Sequence, residues 1–193
     1  MDIRVDFSGT DWILLALLCL ILPLDWMAAG IGAAVVHETS HALAVKLVGG
    51  DILWIRIGIG GAVMQVSETD ECKKLISILA GPAGSFLLLL LCNIFPKLAL
   101  CGLVQGAYNL LPVYPLDGGR ALRCAAVMIF TECRADRICH AVQNMTVILL
   151  TSAALWASFI AKMGLFPLLL LALLLSGIMQ GKIPCKDGRF AVQ

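Results

Sequence analysis

The sequence predicts an all-α polytopic membrane protein with six transmembrane helices and a short membrane-associated β-hairpin after the second. Three observations support this fold class. The 193 residues are 60% hydrophobic and only 14% charged, whereas a soluble domain is about half apolar and about a quarter charged. The apolar residues are gathered into long runs. The lysines and arginines fall almost entirely into alternate connections between those runs.

Six apolar runs are of a length near the roughly 20 residues that a helix needs to cross a bilayer. They cover approximately residues 8–24, 28–48, 74–95, 98–126, 141–161 and 164–180. If these spans alternate in direction, every lysine and arginine except Lys97 and Lys162 lies on one side. Because positively charged connections stay in the cytoplasm, we expect a multi-pass protein of the cell membrane with both termini cytoplasmic. An odd number of spans would remove this asymmetry.

Residues 51–66, between the second and third spans, differ in composition from the helices around them. Residues 52–59 are rich in β-branched and aromatic side chains, and Gly58, Gly60 and Gly61 allow a tight reversal before residues 62–66. This pattern predicts a β-hairpin, apolar enough to lie against the membrane-embedded helices. An interfacial loop without a role is the alternative, because short apolar runs are ambiguous.

The remaining sequence suggests a single domain covering residues 1–193 and no nucleic-acid partner. No repeat or long linker interrupts the chain, and the formal net charge is only +1, which gives no basic surface for nucleic acid. The eight cysteines show no regular metal-binding spacing. Cys133, Cys139 and His140 lie close together in the sequence, and we interpret them as reduced thiols beside an incidental histidine.

The most informative stretch is His37-Glu38-Thr39-Ser40-His41, inside the second predicted span. Residues four apart lie on the same face of a helix, so His37 and His41 can offer imidazole nitrogens to one metal ion. Glu38 follows the first ligand directly, where a carboxylate is placed to deprotonate a metal-bound water. Ionisable groups inside a membrane are expensive and therefore indicate a functional site.

Asp117 is the other carboxylate well inside a predicted span. It follows Pro112 and Pro115 and precedes Gly118-Gly119, a pattern that cannot continue a regular helix. Opened backbone at membrane depth is tolerated only where it lines protein or a watery cavity. Asp117 is therefore a candidate third ligand, and two histidines with one carboxylate leave the fourth position of a tetrahedral zinc open for water.

Together these segments resemble the site-2 protease family of intramembrane zinc metalloproteases (peptidase family M50). The resemblance rests on the His-Glu-x-x-His motif, on the Gly-Pro-Ala-Gly stretch at 81–84, and on Asn109 through Arg120, and it covers roughly residues 10–180. The chain is similar to the compact branch that includes the stage IV sporulation protease, and we expect no counterpart of the C-terminal domain of that protein. Thr39-Ser40 replaces a common Leu-Gly, and Ser85 stands where Asn is common.

The resemblance implies His37, His41 and Asp117 as zinc ligands, Glu38 as the general base, and the hairpin as a strand-addition site for an unwound substrate segment. Asn109 would hold the substrate backbone or the oxyanion, and capping of the broken helix is an equally good interpretation of this residue. The partners implied are the lipid bilayer and a membrane-protein substrate with a transmembrane helix, such as a sigma-factor precursor or an anti-sigma factor.

The function expected from the sequence is therefore zinc-dependent intramembrane proteolysis by a metalloendopeptidase, with Glu38 activating a zinc-bound water. Two alternatives from other classes stay open. A metal-ion transporter would need further intramembrane ligands that form a path across the bilayer. A non-catalytic membrane adaptor that retains the zinc site for structure would bind zinc without cleaving peptides.

Overall fold

The computed structural model describes residues 2–5, 23–58, 61–66 and 70–160, together with a few isolated positions beyond residue 160. Its contacts divide the chain into two compact units, one extending to Leu110 and one beginning at Leu111. Each unit is described by itself below. The first and last predicted spans, 8–24 and 164–180, lie almost entirely outside the described residues.

Three helices form the framework of the first unit: α1 (Leu24–Leu47), α2 (Glu71–Leu87) and α3 (Pro96–Asn109). Helix α1 starts directly after Pro23 and is followed by Gly49, whose φ of 84° only glycine adopts readily. The Asp70 carboxylate caps α2 by accepting a 3.0 Å hydrogen bond from the Cys72 N–H. Pro96 begins α3, a position where its missing N–H costs nothing.

These three helices pack against one another through small residues. A Cβ atom on Gly84 of α2 would overlap the Ser40 side chain of α1. A Cβ atom on Gly102 of α3 would lie 2.7 Å from the Ser85 carbonyl oxygen of α2. Such close approach needs glycine, as in the small-residue interfaces of membrane helices. Helices α1, α2 and α3 therefore form a tightly packed core in the first unit.

Three strands complete the first unit: β1 (Asp2–Val5), β2 (Ile52–Gly58) and β3 (Gly61–Val66). Strands β2 and β3 pair antiparallel with Gly58 opposite Gly61, in the region where the sequence predicts a hairpin. Strand β1 pairs parallel to β2, and the sheet order is β1-β2-β3. The sequence did not predict β1, because four residues are too few to show a clear alternation.

The second unit contains helices α4 (Asp117–Ile129) and α5 (Glu132–Phe159), which pack against each other. A 3.0 Å ion pair between Arg123 and Asp136 joins them. The segment ahead of α4 contains Pro112 and Pro115, and its Tyr114–Pro115 peptide bond is cis. The fourth predicted span, 98–126, corresponds to two helices of 14 and 13 residues, α3 and α4, that belong to different units. The interruption falls before Asp117, where the sequence predicts that the backbone opens.

Within the described residues, two helical segments are long and apolar enough to cross a membrane. They are Glu71–Leu91, which is α2 with the 3₁₀ turn that follows it, and Glu132–Phe159, which is α5. The most apolar window of α5 has no buried residue, whereas the core helix of a soluble protein buries its apolar face. This exposure favours a membrane protein. Helix α5 also begins nine residues ahead of the predicted fifth span, 141–161.

Candidate metal centre

Helix α1 carries the two histidines of the motif one turn apart. His37 is buried, with only 3% of its surface exposed, and His41 is partly buried. Their rings stand nearly perpendicular, with an interplanar angle of 82°. The i, i+4 spacing predicted that the two side chains would share a face of the helix, and the structure places them together.

The two imidazoles face each other through their Nε2 atoms, which lie 3.2 Å apart. His41 Nδ1 lies 2.8 Å from the Ser77 carbonyl oxygen, which can only accept, so this nitrogen carries the proton. His37 Nδ1 lies 2.8 Å from Ser85 Oγ, a group that can accept or donate. When His37 donates to Ser85, both Nε2 atoms present lone pairs toward the same point. That is the tautomer pair of two metal-binding histidines.

The separation of the two Nε2 atoms fits a shared metal ion. Two nitrogens bound to one tetrahedral zinc at roughly 2.0–2.1 Å lie about 3.3–3.4 Å apart, close to the 3.2 Å found between His37 and His41. Each ring is held from behind by an oxygen on its Nδ1 side, as metal-binding histidines usually are. These residues therefore suit a divalent metal that prefers nitrogen ligands.

Helix α2 supplies the surroundings of both rings. Ser85 is fully buried and holds His37, while the Ser77 backbone carbonyl holds His41. Gly81 lies directly against the His41 ring, because a Cβ atom added there would overlap ring atoms. The sequence predicts neither contact: Ser85 there only stands where Asn is common, and Gly81 only begins the Gly-Pro-Ala-Gly stretch. A serine within an apolar helical run is the signal that could have identified Ser85.

Glu38 is partly exposed and lies on α1 next to His37 and three residues before His41. Adjacent helix positions point about 100° apart, so Glu38 does not share the face on which the two imidazoles converge. A carboxylate beside a metal site, rather than on it, is placed to exchange protons.

Asp117 is the first residue of α4 in the second unit, and it is buried with 6% of its surface exposed. A carboxylate in the first turn is stabilised by the helix dipole, and the N-cap residue Leu116 offers no side-chain cap. Arg120 Nη1 lies 3.5 Å from Asp117 Oδ1. The predicted opening of the backbone before Asp117 is thus present, and it allows this carboxylate to stand at a helix N-terminus.

Asn109 is the last residue of α3 and is partly buried. The residues that cap the broken helix are Leu110 after α3 and Leu116 before α4, so the capping interpretation of Asn109 has no support in the described contacts. Cys133 and Cys139 are free thiols, and they form no metal-binding group with His140 in the described part of the chain.

Comparison with known proteins gives three matches. Residues 69–153 match the sequence model of Peptidase family M50. A stretch of 106 residues is 35% identical to a zinc metalloprotease of Methanocaldococcus jannaschii and covers 47% of this chain. It covers 31% of that relative, so the match spans about a third of the relative's length. The structure is similar to the site-2 protease from the same organism, with a TM-score of 0.67 and 20% identity, over 98% of this chain and 96% of that chain.

These matches confirm the resemblance that the motifs predict. The structural match shows the fold of a site-2 protease, and the sequence matches connect the chain to the M50 peptidases and to a zinc metalloprotease.

Proposed function

We propose that this protein is a zinc-dependent intramembrane endopeptidase that cleaves a transmembrane or membrane-adjacent segment of a substrate protein. The observation that carries the proposal is the pair of Nε2 atoms on His37 and His41, 3.2 Å apart and each backed by an oxygen at Nδ1. The names of the matched proteins, a zinc metalloprotease and a site-2 protease, support zinc as the metal and peptide hydrolysis as the reaction.

In this proposal His37, His41 and Asp117 are the protein ligands of the zinc ion. Two imidazoles and one carboxylate form the ligand set of a catalytic zinc site, which keeps a position open for water. Asp117 is suited to the role because it is buried at the start of α4 and carries a carboxylate, one of the oxygen ligands that zinc accepts.

A zinc ion held by these residues would act as a Lewis acid, which would lower the pKa of a water molecule and polarise the carbonyl to be attacked. Glu38 accepts the proton of the attacking water and delivers it to the leaving amine. Ser85 and the Ser77 carbonyl keep His37 and His41 in the tautomers that leave Nε2 unprotonated. The Gly81 backbone, without a side chain, leaves room for the His41 ring.

The substrate class follows from the surroundings of the site. His37 and His41 lie on α1, which packs against α2, a helix apolar enough to cross a membrane. In this proposal the peptide bond to be cleaved therefore lies in or beside the bilayer, and its helix must unwind before attack. Strand β3 is at one edge of the described sheet, and an extended segment can add to such an edge through backbone hydrogen bonds. Asn109, at the end of α3, is placed in this proposal to hold the substrate backbone or the oxyanion.

We further propose the topology predicted by the sequence: one intramembrane domain over residues 1–193, six spans, and both termini in the cytoplasm of a cell-membrane protein. The proposed substrate is a membrane protein with a transmembrane helix, of which a sigma-factor precursor and an anti-sigma factor are two examples.

The decisive experiment compares cells that carry the wild-type chain with cells that carry Glu38→Gln, by quantitative proteomics of the membrane fraction. Glu38→Gln removes the base and retains the proposed zinc ligands, so uncleaved membrane proteins should accumulate in the variant. Zinc content of the purified variant should equal that of the wild type. Equal substrate levels in both strains would contradict proteolysis, and zinc-dependent flux into liposomes that survives Glu38→Gln would favour a transporter.

A further inference from the structure

Gln143 carries a polar amide side chain within a helix that is long and apolar enough to cross a membrane. It lies on α5, twelve residues into the helix counting from Glu132, and is partly buried. Polar side chains at such positions are usually kept because they hydrogen-bond to another segment. The segment contacted by Gln143 is the loop that leads into Asp117.

The contact is a hydrogen bond of 3.2 Å in which the Tyr114 backbone N–H donates to the Gln143 side-chain oxygen. Tyr114 lies between Pro112 and Pro115, two residues that have no N–H of their own. The Tyr114 N–H is therefore one of the few donors by which this loop can be held in place. Gln143 satisfies it from a different helix.

Helix α5 contacts the chain both before and after Asp117. Ahead of Asp117, Gln143 fixes Tyr114. After Asp117, the ion pair between Asp136 of α5 and Arg123 of α4 fixes the helix that Asp117 begins. The Leu116 N–H also donates to the Val113 carbonyl at 2.9 Å, which closes the turn directly before the carboxylate.

We infer that Gln143 is a positioning residue that fixes the direction of the Asp117 carboxylate toward the metal through the Tyr114 N–H. This inference rests on the proposed role of Asp117 as a zinc ligand. Gln143 touches neither metal nor substrate in this role. Its effect is on the backbone that presents a ligand, as is known for residues that support metal ligands from behind.

A cavity of about 20 Å³ lies between Tyr114, Gly119 and Gln143, which is room for roughly one water molecule. A small replacement such as Gln143→Ala would let water take over the bond to Tyr114. The informative variants are therefore Gln143→Leu and Gln143→Met, which fill the space and offer the N–H no oxygen. Gln143→Glu retains an acceptor oxygen in the same place.

The test measures zinc affinity by chelator competition on the purified full-length protein, with the circular dichroism of each zinc-free variant recorded alongside. We expect Gln143→Leu and Gln143→Met to weaken zinc binding by about 10–100-fold, the usual effect of losing a residue that supports a ligand. Gln143→Glu should restore binding to near the wild-type value. Asn144→Leu, which exchanges the exposed neighbouring polar residue on the same helix, should leave zinc affinity unchanged.

Asp117→Asn is the reference variant that distinguishes the positioning role of Gln143 from the ligand role of Asp117. If Asp117→Asn weakens zinc binding while Gln143→Leu and Gln143→Met behave like Asn144→Leu, the positioning role is wrong and the ligand assignment stands. If Asp117→Asn leaves zinc binding unchanged, the ligand assignment itself is wrong, and the positioning role is overturned with it.

Discussion

Gly81 of α2 lies so close to His41 of α1 that a Cβ atom on Gly81 would overlap three atoms of the imidazole ring, including Nε2. The glycine is therefore required by the ring rather than by its own backbone conformation. At this contact the Gly-Pro-Ala-Gly stretch of α2 packs against the His-Glu-x-x-His motif of α1. The close approach of α2 keeps the His41 ring between the Gly81 backbone and the Ser77 carbonyl.

Gly81→Ala should displace the His41 ring and weaken zinc binding by about tenfold or more, because the ring would lose its supported orientation. Isothermal titration of the purified protein with zinc measures this directly. Gly30→Ala on α1 is the matched control, since a Cβ atom there meets nothing within 4 Å. This control should leave zinc affinity unchanged and stabilise the helix by roughly 0.5–1 kcal/mol. Equal zinc affinity in both variants would contradict the proposed contact.

Ser85→Ala should weaken zinc binding by about 10–100-fold, because His37 Nδ1 loses the partner that selects its tautomer. The buried nitrogen left without a partner should also lower the free energy of unfolding by about 1–3 kcal/mol. Ser77→Ala is the control. It removes a hydroxyl from the same helix but retains the backbone carbonyl that holds His41. A similar loss of zinc affinity in Ser77→Ala would show that the effect of Ser85 is not specific.

The parts of the site that the sequence could predict are those fixed by local geometry. The spacing of His37 and His41 determines their common face on any helix, and the two prolines before Asp117 stop a helix wherever they occur. Both features depend only on residues that are close together in the sequence. For that reason the pairing of the histidines and the opening of the backbone before α4 were predicted without knowledge of the fold.

The parts that could not be predicted depend on contacts between distant segments. Ser85 is 48 residues from His37, and Gln143 is 29 residues from Tyr114. Strand β1 pairs with β2 about fifty residues later in the chain. No periodicity in the sequence shows which helix face meets which, so a buried serine or glutamine is visible only as a polar residue in an apolar run.

Gly119→Ala should disturb the loop before Asp117, because a Cβ atom on Gly119 would overlap backbone atoms of Val113 and Tyr114 that cannot rotate away. We expect a loss of about 1–3 kcal/mol in the free energy of unfolding, together with weaker zinc binding. Ala125→Gly on the same helix is the control. It should destabilise the helix by about 1 kcal/mol without changing zinc affinity. A Gly119→Ala protein with wild-type zinc affinity would contradict the coupling between this loop and the site.

Zinc should stabilise the folded protein, and the variants should divide according to whether they lose a ligand or the base. A ligand that binds only the folded state at 100 times its Kd adds about 2.7 kcal/mol of stability, so the melting temperature of the wild type should rise with zinc and fall with a chelator. His41→Ala should lose this zinc-dependent rise, since one ligand is missing. Glu38→Gln should retain the rise while cleavage is lost, because Glu38 moves a proton and does not hold the metal. Differential scanning fluorimetry with and without zinc measures both, and loss of the zinc-dependent rise in Glu38→Gln would contradict its assignment as the base.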